Sequence, residues 1–251
     1  MPPAVLTLLN RGPAYELIVG PSGEVWVQPD TTNITATRFL LYGAAGSGSV
    51  SVEAAMTLAG LPYDVIEAPA WTGPGAQDKV APVNPMRQVP TLVLPSGEVM
   101  TESAAILMWL AEQHPHARLA PAPGDPARAA FLRWMVFVPA AIYSMYWLRD
   151  QPSRMAVDGA GEQAVLDRTA DRIAECWRMM DQQVTPGRCI LGDQVSVLDL
   201  YVAVVSRWAP RRARFYAAAP KMAAVVRRVD ADPRLVAFWT RRFPFEEGWE
   251  G

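Results

Sequence analysis

The feature that most restricts the fold of this chain is a change of pattern near its middle. Short apolar strands alternate with helices between residues 38 and 113. After a proline- and glycine-rich stretch at 121–126, no strand pattern persists. Alternating strands need a common sheet, whereas amphipathic helices can pack on one another. We therefore predict an α/β domain at residues 37–115 and an all-α helical-bundle domain at 125–245, with a linker between them.

The first domain is predicted to follow the order β-α-β, a loop or helix, then β-β-α. Its strands are expected at 38–42, 63–67, 90–94 and 98–100, and its helices at 50–59 and 103–113. Gly60 is typical of a residue that ends a helix. This order is the thioredoxin-like arrangement. The second domain is expected to hold helices at about 125–150, 162–183, 196–208, 219–230 and 233–241.

Residues 1–36 stand apart from both domains. They place proline, glycine and threonine between short apolar pieces. A small hairpin is one interpretation of this pattern. We expect instead a poorly ordered N-terminal extension.

Composition argues against several kinds of function. Hydrophobic residues make up 51% of the 251 residues and the net charge is −2, which predicts a packed core and no basic surface for nucleic acid. No uninterrupted apolar run approaches the roughly 18 residues that span a bilayer, so no membrane partner is expected. Cys176 and Cys189 do not form a C-x-x-C pair and lie in no Cys/His cluster, so neither a disulfide framework nor a zinc site is expected. They favour a reducing cytoplasm. No metal site is predicted.

A proline opens the third strand of the first domain, within the segment N-P-x-x-Q-V-P-T-L at residues 84–92. Proline at the start of a core strand removes a ladder hydrogen bond. If the Val89–Pro90 bond is cis, the backbone N–H and C=O of Val89 would point into a cleft and could pair with a peptide ligand. An ordinary strand-initiating proline is the alternative.

Glu102 and Ser103 lie at a strand-to-helix junction. Either residue could simply cap the helix. The start of a helix also binds anions, so the Ser103 hydroxyl and N–H could hold a carboxylate while Glu102 accepts from an ammonium group. That pair of contacts suits the α-amino-acid end of a γ-glutamyl group.

The glycine-rich loop before the first helix carries Ser47 and Ser49 but no cysteine. Thiol–disulfide exchange through the chain's own thiols is therefore not expected. No base is within evident reach, so neither hydroxyl is predicted to be a nucleophile. A hydroxyl here could instead donate to a bound thiolate and, with the helix dipole, lower a thiol pKa from about 8.5 toward neutrality. Turn and N-cap roles for both serines stay open.

Ser196 and Asp199 have the spacing of a capping box, with Val195 and Leu200 placed as a hydrophobic staple. This pattern predicts a rigid helix start in the second domain. We expect a structural role for Asp199, not a catalytic one.

From about residue 38 to 245 the chain resembles the glutathione S-transferase superfamily. Three segments carry the resemblance in order: N-P-x-x-Q-V-P-T-L at 84–92, E-S-x-A-I at 102–106 and L-G-D-x-x-S-x-x-D at 191–199. The resemblance implies the glutathione S-transferase fold, glutathione as cosubstrate, a small electrophilic substrate, a role in detoxification and a homodimer. It implies glutathione binding through Gln88, Val89, Pro90, Glu102 and Ser103.

The resemblance also implies a catalytic hydroxyl near the end of the first strand. The segment L-Y-G-A-A-G-S-G-S at 41–49 is similar to bacterial, serine-type members, which indicates Ser47 first, Ser49 second and Tyr42 third. Where many relatives have lysine or arginine in the first helix, this chain has Ser51, Val52 and Glu53. This departure weakens the expectation of strong thiol activation.

Three functions remain open at this point. The first is an enzyme that uses the glutathione thiolate to attack, reduce or isomerise a small electrophile. The second is a non-catalytic glutathione-binding or regulatory protein, and the third is a relative of the same fold with no glutathione site. In the first case the second domain would supply the acceptor pocket from a set of large side chains: Trp134, Phe137, Tyr143, Met145, Tyr146, Trp147, Trp208, Phe215 and Tyr216.

Overall fold

The computed structural model describes residues 38–245 and three short strands nearer the N-terminus: β1 (Leu6–Thr7), β2 (Tyr15–Val19) and β3 (Val25–Pro29). These strands form an antiparallel sheet in the order β1-β2-β3. The sheet corresponds to the hairpin interpretation of residues 1–36. The poor order expected of that extension stays a prediction, because the rest of it lies outside the described residues.

The first domain has the predicted order of elements. They are β4 (Phe39–Gly43), α1 (Ser49–Ala59), β5 (Tyr63–Glu67), α2 (Pro74–Val80), β6 (Thr91–Val93), β7 (Val99–Met100) and α3 (Ser103–Gln113). The sheet order is β5-β4-β6-β7, with β4 parallel to β5 and antiparallel to β6. The thioredoxin-like arrangement is confirmed.

Side chains of β4 alternate between two cores, as the period of two in a strand requires. Phe39 and Leu41 are buried in the main core with α1 and α3. Leu40 and Tyr42 pack on the opposite face, against Val80 of α2. The strand therefore carries α1 on one side and α2 on the other.

Helix α1 is buried from Ser49 to Met56 because β4, α3 and α7 all pack on it. It ends at Gly60, which has φ 68°, and the Gly60 N–H reaches the carbonyls of Met56 and Thr57. The predicted glycine C-cap is confirmed, since only glycine takes this left-handed conformation without a steric cost.

The regular elements in the described part of the second domain are helices, apart from an isolated β-bridge between Cys189 and Gly192. Its helices are α4 (Arg128–Phe137), α5 (Ser144–Arg149), α6 (Gly159–Gln183), α7 (Val197–Val205), α8 (Arg211–Ala218), α9 (Pro220–Asp230) and α10 (Val236–Arg242). The sequence pattern did not predict α8. Three of its eight residues are arginines, so the pattern of apolar residues does not indicate a buried helix face. One of them, Arg212, is fully buried and bonds to Asp230.

A π-helical turn, Val138–Tyr143, joins α4 to α5 into one continuous helix of 22 residues. By length and composition this helix could cross a membrane, although it is not an uninterrupted apolar run. Phe131, Trp134 and Ile142 on it are buried in the main core. Core helices of globular domains can have the same length and composition.

Helix α7 is the centre of the second domain, since every one of its nine residues is buried. A helix that is apolar on all sides must be enclosed by other elements. Its predicted capping box is confirmed: Asp199 accepts from the Ser196 N–H at 2.8 Å and also from the Ile190 N–H at 2.7 Å.

Candidate functional site

The backbone of Val89 lies at an unpaired end of the sheet. The Val89–Pro90 peptide bond is cis, and β6 begins only at Thr91. Asn84 and Thr91 fix the turn through hydrogen bonds to the Gln88 carbonyl at 3.1 and 3.0 Å. Among the described residues, no hydrogen bond is made by the N–H or C=O of Val89. The cis bond, which the sequence analysis gave as one possibility, is therefore present, and the role of this backbone in binding an extended ligand stays a prediction.

Glu102 enters α3 in a strained backbone conformation. Its φ is 65°, in the left-handed region, and its side chain is exposed. Such a conformation costs of order 1–3 kcal/mol in a residue with a Cβ and persists where the surroundings hold it. The next residue, Ser103, is buried, and its hydroxyl lies 2.8 Å from the Tyr201 hydroxyl of α7. The second domain thus supports one edge of the predicted anion site.

Ser47 and Ser49 form a pair at the start of α1. Their hydroxyl oxygens lie 2.9 Å apart, and the Ser49 N–H donates to Ser47 Oγ at 3.1 Å. Ser49 is fully buried and also accepts from the Ala44 N–H at 3.0 Å. Ser47 keeps 7% of its surface exposed. Of these two serines, Ser47 is the less completely buried.

Glu53 lies beneath this pair, one turn further along α1. Its Oε1 accepts from the Ser49 hydroxyl at 3.1 Å. The carboxylate is fully buried and forms a two-bond ion pair with Arg242 of α10, at 2.5 and 3.1 Å. Arg242 also pairs with Glu67 at the end of β5. The expectation that no base lies near the serines is wrong, because Glu53 is four residues from Ser49 and shares its helix face.

Burial raises the pKa of Glu53 above its ordinary value, against the lowering effect of Arg242 and Ser49. Burial acts to lower the pKa of Arg242, but its bonds to Glu53 and Glu67 outweigh this effect and the pKa is raised. One arginine faces two carboxylates here. With all three ionised, the cluster has a charge of −1.

The second domain also holds the loop that precedes α1. The Trp208 indole N–H donates to the Gly46 carbonyl at 2.7 Å, and the Gly46 N–H donates to the Arg242 carbonyl at 2.9 Å. A Cβ atom at Gly48 would lie 2.5 Å from the Tyr143 hydroxyl. Tyr143 therefore presses on the first turn of α1, beside the serine pair.

Tyr42, the third candidate hydroxyl, lies apart from the serine pair. Its ring packs with Ala68 and Val80 on the α2 face of the sheet. Burial raises the pKa of its phenol. In the described part of the chain, no hydrogen bond joins Tyr42 to Ser47 or Ser49.

Part of the aromatic set proposed for an acceptor pocket gathers at the interface between the domains. The Tyr143 and Trp208 rings meet edge to face at 4.7 Å, and Tyr146 meets Trp208 at 5.0 Å. A crevice with a volume of only about 10 Å³ lies beside Trp208 and Phe215. The rest of the set is placed otherwise: Trp134 is in the core, while Trp147 is exposed under the guanidinium of Arg154.

Within residues 38–245 and the three N-terminal strands, no group of three or more His, Cys, Asp or Glu side chains could hold a metal ion.

Sequence reasoning missed three groups of this site, for different reasons. The Ser49–Glu53 contact has a signal, the spacing of four residues within one helix. The contacts of Arg242 and Trp208 have none, because these residues lie 189 and 162 positions from their partners Glu53 and Gly46.

The chain is similar to known proteins in both sequence and structure. The family profile described as glutathione S-transferase, N-terminal domain, matches residues 49–113. The protein named uncharacterized GST-like protein YncG, from Escherichia coli K12, is 31% identical over 196 residues, which cover 78% of this chain and 94% of that protein. The chain belongs to the glutathione S-transferase superfamily.

Solved structures of this superfamily match the same region. A glutathione transferase homolog from Sulfitobacter with bound glutathione has a TM-score of 0.71 at 25% identity, covering 82% of this chain and 98% of that chain. A glutathione S-transferase from Methylobacterium radiotolerans, in complex with glutathione sulfonate, has a TM-score of 0.64 at 25% identity, covering 84% and 97%. The glutathione S-transferase fold expected from the sequence is confirmed.

Proposed function

We propose that this chain binds glutathione at Val89, Glu102 and Ser103 and uses its thiol to act on a small electrophile. The observation that carries the proposal is Glu102, an exposed carboxylate held at φ 65° where an 11-residue helix begins. Strain kept at an exposed position indicates a binding role. The carboxylate can accept from the ammonium group of a γ-glutamyl end, while the N–H groups at the start of α3 hold its carboxylate.

The remaining residues fit the rest of a tripeptide. The unpaired backbone of Val89 can pair with the ligand backbone as an added strand would, with Gln88 and Pro90 on either side of it. Ser47 at the start of α1 is the hydroxyl placed for the thiol. The bound ligands named for the two solved relatives are glutathione and glutathione sulfonate, which supports the same class of ligand here.

The bound thiol would supply a sulfur nucleophile. In a substitution, the new S–C bond forms as the leaving group departs with the electron pair of its own bond. The residues of the chain orient the sulfur, handle its proton at Ser47, and exclude water with the Tyr143 and Trp208 rings. By likeness to the family we expect a homodimer in the cytoplasm, and size-exclusion chromatography tests the first of these.

A non-catalytic glutathione-binding role is the second candidate, and one observation favours it. The cluster of Arg242, Glu53 and Glu67 has a charge of −1 close to the serines. A negative charge near a thiolate raises the thiol pKa. Turnover of an activated aryl halide by the wild type separates the two functions. Loss of turnover in Ser47→Ala with binding retained would support the enzyme.

Calorimetric titration with reduced glutathione tests the binding site. We expect a Kd between about 1 μM and 1 mM for the wild type. Glu102→Ala should weaken binding at least about tenfold, because a hydrogen bond to a charged group contributes roughly 1.5–3 kcal/mol. Glu98→Ala is the matched control, since Glu98 is also exposed and lies four residues before Glu102, on the other side of β7. Unchanged affinity in Glu102→Ala would remove this residue from the site. A wild type that does not bind would overturn the proposed function and leave the fold.

A further inference from the structure

Ser47, Ser49 and Glu53 form a continuous chain of hydrogen bonds. Ser47 Oγ lies 2.9 Å from Ser49 Oγ, which lies 3.1 Å from Glu53 Oε1. Ser47 is buried but keeps 7% of its surface exposed, whereas Ser49 and Glu53 are fully buried. The chain therefore connects the place proposed for the thiol with a buried carboxylate.

The direction of this chain is set at Glu53, which can only accept while it is ionised. The one proton of Ser49 has two acceptors in reach, Glu53 Oε1 at 3.1 Å and the Ala44 carbonyl at 3.2 Å, and the charged carboxylate is the stronger acceptor. The two lone pairs of Ser49 are then taken by the Ala44 N–H at 3.0 Å and by the Ser47 hydroxyl. Ser47 already accepts from the Ser49 N–H at 3.1 Å. One lone pair of Ser47 remains, and it accepts rather than donates.

We propose that Ser47, Ser49 and Glu53 are a proton relay that moves the thiol proton of bound glutathione to Glu53; this inference rests on the proposed function. Ser47 accepts the S–H proton as its own proton passes to Ser49. The proton of Ser49 passes in turn to Glu53, and the electron pair of the S–H bond stays on sulfur. Afterwards Glu53 is neutral and the chain is reversed, so Ser47 now donates to the thiolate.

The surroundings of Glu53 suit a proton acceptor. Burial raises the pKa of Glu53, which brings it closer to the pKa of a thiol. The charged and titratable groups facing it come from two elements. Helix α10 contributes Arg242, with Arg241 close to Tyr63, and β5 contributes Tyr63 and Glu67. Arg242 holds the carboxylate in position by donating to both of its oxygens, and Oε1 also accepts from Ser49.

The charged and titratable groups on the other sides of α1 interact with Tyr143 and not with Glu53. They are Glu102 at the start of α3 and Tyr201 of α7. Protonation of Glu53 also removes one negative charge from the cluster around Arg242. The relay thus converts a cluster of charge −1 that disfavours a thiolate into a neutral one, and it compensates for the cation that α1 lacks.

Glu53 could instead matter only as the anchor of Arg242. Ser49→Ala separates the two roles, because it interrupts the relay and leaves the Glu53–Arg242 ion pair in place. Ser51→Ala is the matched control. Ser51 is fully buried on the same helix and donates to the Gly48 carbonyl at 2.8 Å, outside the relay.

The experiment is a pH titration of reduced glutathione bound to the protein, followed by the ultraviolet absorbance of the thiolate. Calorimetry first establishes saturation for each variant. We expect Ser49→Ala and Glu53→Gln each to lower the thiolate fraction of the complex at neutral pH at least about tenfold, a rise of about one unit in the thiol pKa. Ser51→Ala should match the wild type.

Each other outcome has a definite meaning. An unchanged thiol pKa in Ser49→Ala, with glutathione still bound, overturns the relay and leaves the proposed function intact. A change in Glu53→Gln alone also overturns it, because Glu53 would then act through Arg242. Absence of glutathione binding in the wild type overturns the proposed function and the relay together.

Discussion

At the scale of single residues, Gly43 makes room for Ser49. A Cβ atom at Gly43 would lie 2.4 Å from Ser49 Oγ and 2.6 Å from Ser49 Cβ, closer than any side chain allows. Gly43 ends β4, so its neighbours in the sheet cannot shift without loss of pairing. The need for glycine here is steric, and it comes from the relay serine itself.

We expect Gly43→Ala to lower the free energy of unfolding by about 1–3 kcal/mol, the usual cost of overpacking a core. The thiol pKa of bound glutathione should rise with it, because Ser49 must move. Urea unfolding gives the first quantity. Gly75→Ala is the control, since Gly75 lies in α2 with open space around it. Equal midpoints for the two variants would contradict the steric account.

At the scale of elements, α7 depends on one buried carboxylate at its start. Asp199 is fully buried and takes hydrogen bonds from the N–H groups of Ile190 and Ser196 and from the Ser196 hydroxyl. It thereby fixes both the first turn of α7 and the loop before it. Each buried N–H left without a partner costs about 1–3 kcal/mol.

Asp199→Ala should therefore lower the free energy of unfolding by about 3 kcal/mol or more, measured by urea denaturation. Asp167→Ala provides the comparison, because Asp167 is exposed on α6 and bonds only to the Gln163 side chain among the described residues. That variant should stay within about 0.5 kcal/mol of the wild type. A loss below about 1 kcal/mol in Asp199→Ala would show that water or neighbouring groups replace the carboxylate.

Elements whose signals are local could be predicted from the sequence. The capping box at Ser196 and the glycine that ends α1 are both properties of a few consecutive residues, and α3 begins and ends where the periodicity of Ser103–Gln113 predicts. Helix α8 could not, since a buried Arg212 has the appearance of a solvent-facing residue until Asp230 is placed beside it. Burial of a charge depends on a partner that local pattern does not show.

At the scale of the whole molecule, the candidate site is assembled from both domains. Val89 and Glu102 carry local signals, so this edge of the candidate site could be proposed from the sequence. The second-domain side, with Trp208 on Gly46 and Arg242 on Glu53, depends on contacts across 162 and 189 residues of chain. Such contacts are set by how α7 and α10 pack, and a single sequence contains no record of that packing.

Arg242 is the strongest of these links, because it joins α10 to α1 by a largely buried ion pair with Glu53 and to β5 by a second ion pair with Glu67. Its removal leaves the Glu53 carboxylate buried without a cation. Breaking a buried pair in this way costs roughly 3–5 kcal/mol. We expect Arg242→Ala to lose about 3 kcal/mol of unfolding free energy, with Glu67 half-exposed and contributing little of it.

Arg241→Ala tests whether this loss belongs to the ion pair or to α10 itself. Arg241 is the preceding residue of the same helix, is exposed, and has the same helix propensity. Urea unfolding followed both by far-ultraviolet circular dichroism and by tryptophan fluorescence should still shift as one transition in Arg242→Ala, because α1 of the first domain stays packed against α7 of the second. Arg241→Ala should lie within about 0.5 kcal/mol of the wild type. If the two variants lose the same free energy, α10 is held by its apolar face alone. If the two probes separate in Arg242→Ala, the ion pair is what makes the domains unfold together.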